Sequence, residues 1–187
     1  MSLIKTEAIV IKSMNWRDTS KIVSLYTREA GRIDVIAKGV RRKNHPHGSF
    51  LESLNHLETV IYISEKRELQ NLGNTSQLNS FYKIRQDLNK TSFGLAILEI
   101  VNLFFSPGET DVVFFDFLIS QINALNESSH PQVVFWFFIL KISSYLGFKP
   151  RFENCQICKK LKDEDYYFQV SSGAAYYKEC AGETSLF

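Results

Sequence analysis

The sequence predicts an α+β chain: a small five-stranded β-barrel first, then a helical domain with a cysteine-bearing segment set into it. Three observations predict this. Short β-branched runs with period-two alternation fill the first part. From about Asn79 the apolar spacing changes to three, four and seven residues. Past Pro150, a Cys-x-x-Cys pair at Cys155 and Cys158 is followed by Cys180. The division falls at residues 1–78 and 79–187, with the cysteine segment at 151–182.

The first three strands are read at Ala8–Lys12, Lys21–Arg28 and Arg32–Lys38. Alternation along the third sends Ile33, Val35 and Ala37 to one face and Arg32, Asp34 and Lys38 to the other. The chain then passes through Gly39 into Arg41, Arg42 and Lys43, with no acid until Glu52. A polar connection of about 15 residues follows, long enough for a functional or mobile loop. It carries Pro46 and Gly48, which disfavour helix and strand. A fourth strand is read at Leu57–Ser64, then a charged turn, Glu65–Glu68, and a fifth strand from Leu69 to about Thr75, where Gly73 permits a bulge. Such a set fits a small closed barrel of antiparallel strands. The OB-fold is the commonest nucleic-acid-binding version, although an SH3-like barrel gives much the same pattern.

The helical part begins with an apolar stripe, Phe81, Ile84, Leu88, Leu95, Leu98 and Val101, that ends at Ser106–Pro107–Gly108. Thr110 is placed to cap a second helix, Asp111–Asn126, with Asp111 against the N-terminal dipole. A third runs from Pro131 to a stop at Gly147. Its segment Val133–Leu146 is apolar nearly all round, which predicts a helix surrounded by others.

Charge is uneven along the chain. Residues 1–80 hold 12 Lys/Arg against 8 Asp/Glu, while 81–150 and 151–187 each hold 5 against 6. The excess of positive charge lies wholly in the barrel part, which suits a polyanion, most simply a nucleic-acid backbone. A solvated basic face is the plainer alternative. No apolar run opens the chain, and the longest apolar block, Val133–Leu140, is far short of the ~20 residues a membrane span needs. Three cysteines, an odd number, argue against a secreted disulfide framework. The expected location is cytoplasmic.

Cys155, Cys158 and Cys180 supply three of the four ligands a structural zinc normally takes. Position 177, where a fourth would complete a second pair, is tyrosine, and all four histidines lie upstream. The competing expectation is a former zinc knuckle held by packing of Tyr166, Phe168 and Tyr176. A redox reading of the pair lacks a βαβ context.

The order of these pieces resembles the bacterial RecO family of recombinational repair proteins. The resemblance is densest at Glu7–Lys12, at Arg17–Asp18 with Leu25–Arg28, from Gly31 through Lys43, and at Leu146–Cys158. It implies an N-terminal OB-fold, a helical domain and an embedded zinc-ribbon-like segment. It further implies binding of single- and double-stranded DNA, annealing of complementary strands, and cooperation with RecR to help RecA replace single-stranded-DNA-binding protein (SSB), whose acidic tail is contacted. Nucleoid association follows from that role. Two departures stand out: Tyr177 replaces a knuckle cysteine, and the family usually continues for several helical turns past this chain's Leu186–Phe187. The expected consequence of the second is some exposed hydrophobic surface.

The leading expectation is a non-enzymatic DNA-binding and annealing factor. Its candidate phosphate contacts are Arg28, Arg32, Lys38, Arg41, Arg42 and Lys43, with Lys66 and Arg67 weaker. Tyr26 is a candidate base-stacking platform if its strand faces outward; sheet packing is the alternative. The rival expectation is an interaction adaptor whose helical domain holds an acidic SSB tail on Lys83, Arg85 or Lys141. An enzyme is disfavoured, since no phosphate loop, nucleophile elbow or HExxH appears and His45, His47 and His56 lack a carboxylate at ligand spacing.

Overall fold

The computed structural model describes residues 2–43, 45, 47–160 and 166–181, with backbone only at 166 and 181. Two compact units divide the chain, Met1–Phe135 and Trp136–Phe187.

In the first unit, strands β1 (Ser2–Trp16), β2 (Ser20–Thr27), β3 (Gly31–Ala37), β4 (His56–Ile63) and β5 (Gln70–Asn79) close a barrel in the order β1-β2-β3-β5-β4. This is the OB-fold arrangement. β1 is long because it serves two neighbours. Its Ser2–Ile9 half pairs with β4, and Ala8–Trp16 pairs with β2. A bulge between Val10 and Lys12 bends it from one to the other. Closure comes through β3 and β5, and this pairing is parallel rather than antiparallel.

The barrel interior is filled by Ala8, Val10, Val23, Leu25, Val35, Ala37, Leu57 and Ile61. The described residues of the 38–55 connection make successive turns and add Val40 and Leu51 to that core. Asn55 ties the connection down, donating from Nδ2 to the Ser49 and Phe50 carbonyls at 3.0 and 2.9 Å.

Helices α1 (Tyr82–Arg85), α2 (Leu88–Phe104) and α3 (Val112–Glu127) follow. The single stripe expected from Phe81 onward is broken at Asp87, whose carboxylate accepts from the Asn89 and Lys90 amides and starts α2 afresh. The new phase buries Gly94, Ile97, Leu98 and Val101, and it leaves Leu88 82% exposed. Asp111, not Thr110, caps α3, accepting from the Phe114 amide at 2.8 Å.

A second packing layer lies on the outside of the barrel. His56, Ile9, Tyr26 and Arg32 are register partners in a row across β4, β1, β2 and β3. Tyr26 packs edge-on against Phe105 and Phe114 and stacks with Phe115. Both faces of this part of the sheet are therefore covered.

Helix α4 (Pro131–Tyr145) spans the boundary between the units. It ends in a Schellman motif, with Gly147 at φ +87 and bonds from the Gly147 amide to the Ser144 carbonyl and from Phe148 to Ser143. The expectation of a helix enclosed on every side is corrected: Phe138 and Ile142 are buried, but Trp136 is 60% exposed and Phe137 and Leu140 are also open. Apolar composition alone does not create neighbours. Among the described residues, no helix is long and apolar enough to cross a membrane.

Among the described residues, the second unit also holds a hairpin of β6 (Tyr166–Gln169) and β7 (Ala174–Tyr177), followed by the short α5 (Lys178–Ala181). Arg151 lies alongside β7, exchanging backbone bonds with Gly173 and Ala175. Phe152 stacks on Phe168 at 4.8 Å, and Tyr176 donates to Ser172 Oγ at 3.1 Å. The Tyr166 side chain lies outside the described residues.

Candidate nucleic-acid interface and thiol cluster

The β1–β2 ladder runs to Trp16↔Ser20, leaving Arg17–Thr19 as a three-residue turn with Arg17 at φ +50. Arg41 is fastened to that turn. Its amide donates to the Thr19 carbonyl at 2.9 Å, and its Nη1 to the Arg17 and Asp18 carbonyls at 3.0 and 3.3 Å. Gly39, at φ +72, begins the turn that carries Arg41, Arg42 and Lys43, and the Arg42 amide closes it on the Gly39 carbonyl. Lys38, Arg41, Arg42 and Lys43 are all exposed. These four candidate contacts thus gather at one end of the barrel.

The other candidates are placed elsewhere. Arg28 pairs with Asp116 of α3 through both terminal nitrogens and lies over the Phe115 ring. Arg32 donates from Nε to the Phe105 carbonyl at 3.1 Å and from Nη1 to Asn102 at 3.4 Å. Both guanidiniums bind helices to barrel. Lys66 and Arg67 are exposed in the β4–β5 turn, beyond the Ser2↔Ile63 end of the β1–β4 ladder. That is the end of β1 opposite Arg41.

Tyr26 is corrected as a base platform: it is fully buried beneath Phe105, Phe114 and Phe115. The sequence reading instead missed Lys12, Met14 and Trp16, which extend along β1 past the bulge. The available signal is in the residue types: Met14 and Trp16 alternate with the small polar Ser13 and Asn15 up to the Arg17 turn.

In the second unit the Cys155, Cys158 and Cys180 sulfurs lie within 4.8 Å of one another. A tight turn presents the first two: the Lys159 amide donates to the Cys155 carbonyl at 2.9 Å, with Lys159 at φ +60. Burial alone pushes the Cys155 thiol up. Hydrogen bonds from the backbone amides of Tyr177, Cys158 and Ile157 outweigh it and bring the pKa down to about 6. Cys180 moves the other way, to about 11, through burial and the neighbouring sulfurs. Three packed thiols cannot all ionise without a cation among them, and amides aimed at a sulfur suit a bound thiolate. The donor set therefore fits a thiophilic metal ion with three protein ligands. Tyr177 brings its backbone amide to Cys155 rather than a fourth sulfur.

The description "Recombination protein O N terminal" matches residues 1–81, and "Recombination protein O C terminal" matches residues 85–185. The chain belongs to the RecO family. The proteins named DNA repair protein RecO from Caldicellulosiruptor saccharolyticus and Salinibacter ruber are 26% and 28% identical to it. The first alignment covers 100% of this chain and 75% of the relative, the second 94% and 67%. The Prosthecochloris aestuarii protein of the same name is 28% identical over 98% of this chain and 72% of its own length. Within this RecO chain, the exposed cations lie in the part matched to the N-terminal description, and the thiol cluster lies in the part matched to the C-terminal one.

Proposed function

We propose that this RecO-family chain is a non-enzymatic DNA-repair factor. It grips sugar–phosphate backbones through Lys38, Arg41, Arg42 and Lys43 and so brings complementary single strands together. The observation that carries this reading is the fastening of Arg41 onto the β1–β2 turn, which holds four cations open at one end of an OB barrel. Phosphates neutralised there release counterions, giving binding that is independent of sequence and sensitive to salt. With bases left free and phosphates screened, two strands can pair. Cooperation with RecR and RecA on SSB-coated DNA, in the cytoplasm at the nucleoid, belongs to the same reading. Zinc held by Cys155, Cys158 and Cys180 would neutralise their charge and brace the knuckle.

The test is a salt titration of binding to labelled single-stranded DNA by the wild type and the R41E/R42E/K43E variant. The wild type should show a steep negative slope of log affinity against log salt, and the variant a weaker affinity and a shallower slope. Equal binding at low salt would overturn the assignment.

A second reading, capture of the acidic SSB tail by the helical part, is favoured by one residue. Lys141 lies 5.4 Å from the Phe137 ring, on a helix that also exposes Trp136 and Leu140. Lys83 and Arg85 are less suited to it. Lys83 pairs with Glu127, and Arg85 donates to the Ser53 carbonyl and Asn55 Oδ1. A peptide with the SSB tail's chemistry should bind the wild type and lose affinity in Lys141→Glu.

A further inference from the structure

We infer that Trp16 and Met14 form a base-stacking platform on the outer face of the β1–β2 hairpin, selective for single-stranded nucleic acid. The inference rests on the nucleic-acid reading above and names the part of the surface that recognises unpaired bases.

The bulge between Val10 and Lys12 sets the phase of the hairpin. Beyond it, Lys12, Met14 and Trp16 pair with Ser24, Ile22 and Ser20. Val23 and Leu25 point into the barrel core, so their alternates on β2, and the β1 residues opposite them, point out. Ile22 pairs in turn with Ile36 of β3. Trp16, Met14, Ile22 and Ile36 therefore make an apolar strip across three strands. Trp16 is 40% exposed and Met14 49% exposed, next to the turn that Arg41 clamps.

The surroundings select the occupant. Lys12, Arg17, Lys38 and Arg41 are exposed around the strip; the acids beside it are Asp18 in the turn and the half-buried Asp34 of β3, which accepts from Ser24. An apolar strip inside a rim of four cations and two acids, one of them tied to Ser24, matches a chain that alternates a π-face with a phosphate at every step. Indole and thioether groups stack on any base, so the contact is tolerant of sequence. In a duplex those π-faces are already stacked on one another. The rim then engages both forms of nucleic acid, whereas the strip engages only single strands.

The experiment uses the full chain. In a Trp136→Phe background Trp16 is the sole tryptophan, and its emission is followed during titration with oligo(dT), a hairpin duplex and polyphosphate. Oligo(dT) should quench Trp16, while polyphosphate, which has charge without bases, should leave it nearly unchanged. Trp16→Ala should weaken oligo(dT) binding about 10-fold, and Trp16→Phe should restore most of it. Duplex and polyphosphate affinities, and the salt slope, should hold in both variants. Unquenched emission at saturation, or undiminished oligo(dT) affinity in Trp16→Ala, overturns the platform. So does an equal loss of polyphosphate binding, which would mark Trp16 as structural. If those results come while R41E/R42E/K43E loses binding, the platform falls and the phosphate reading stands. If the wild type binds none of the three probes, both fall.

Discussion

Arg28 and Asp116 form a two-pronged pair, with Nη1 and Nη2 on the two carboxylate oxygens at 2.5 and 3.0 Å, across the seam between barrel and α3. The hydrogen bond to Asp116 chiefly holds the guanidinium pKa above its ordinary value. This basic residue, past the end of β2 away from the Arg17 turn, is thus spent on internal docking. Arg28→Ala and Arg32→Ala should each change DNA affinity by less than about 2-fold, since neither side chain is directed at phosphate. Both should lower the melting temperature. A loss of binding as large as that of R41E/R42E/K43E would return them to the interface.

Gly31 sits at φ +60, where a Cβ would meet the Glu109 carbonyl oxygen at 2.0 Å. The same corner is joined by the Gly108 amide donating to the Arg32 carbonyl at 3.0 Å. Gly31→Ala should cost well over ~1 kcal/mol in denaturant unfolding, combining a strained backbone with a direct clash. Gly108→Ala, at φ +78 but with open space around it, should cost less. Equal costs would show that backbone conformation alone governs both.

His56 is buried, and burial lowers its pKa even though the Glu7 carboxylate, 3.0 Å from Nε2, raises it. The unfolded imidazole takes its proton near pH ~6.5, and the folded one takes it only at lower pH. Stability should therefore be complete above that value and should fall as pH drops toward the folded-state pKa. Urea titrations at neutral and mildly acidic pH should show this decline for the wild type and a flatter profile for His56→Asn. Glu7→Gln, which removes the opposing influence, should deepen it.

Cys155, Cys158 and Cys180 should bind one metal ion cooperatively. Serine at any one of them should abolish stoichiometric zinc by elemental analysis and remove the sulfur-to-metal absorption of the cobalt-substituted chain. In the metal-free chain, ultraviolet thiolate absorption should first appear near pH 6, from Cys155, and from Cys180 only near 11. Retention of full zinc by Cys180→Ser would exclude Cys180 as a ligand.

What could be read from the sequence was whatever is local. Pro131 and Gly147 bound α4 because their chemistry acts within one turn of helix. The five strands follow from β-branched alternation, but the bulge after Val10 leaves no signature of composition. The β-branched run ends at Ile11, so the strand expected from composition stops at Lys12 and leaves out Met14 and Trp16. Tyr26 was undecidable by period, because helices cover the outer face of a sheet whose inner face is also filled. Asp87 shifted the phase of α2 in a way that counting apolar residues could not register. The Cys155–Cys158 pair is visible in its spacing, but its meeting with Cys180 depends on the β6–β7 hairpin.

β1 makes eight register pairs with each of its neighbours, whereas β3 and β5 share only two, Val35↔Gln70 and Ile36↔Asn71. The cylinder is thus a curled ribbon held shut by a brief clasp, and transient unclasping is its least costly distortion. Directly past β3 come the residues that carry the cationic load. A pull on that turn by a bound polymer is transmitted first to the clasp, so the amides bonded across the Val35↔Gln70 and Ile36↔Asn71 pairs should exchange with deuterium sooner than those along β1, and a bound strand should alter that rate before any other.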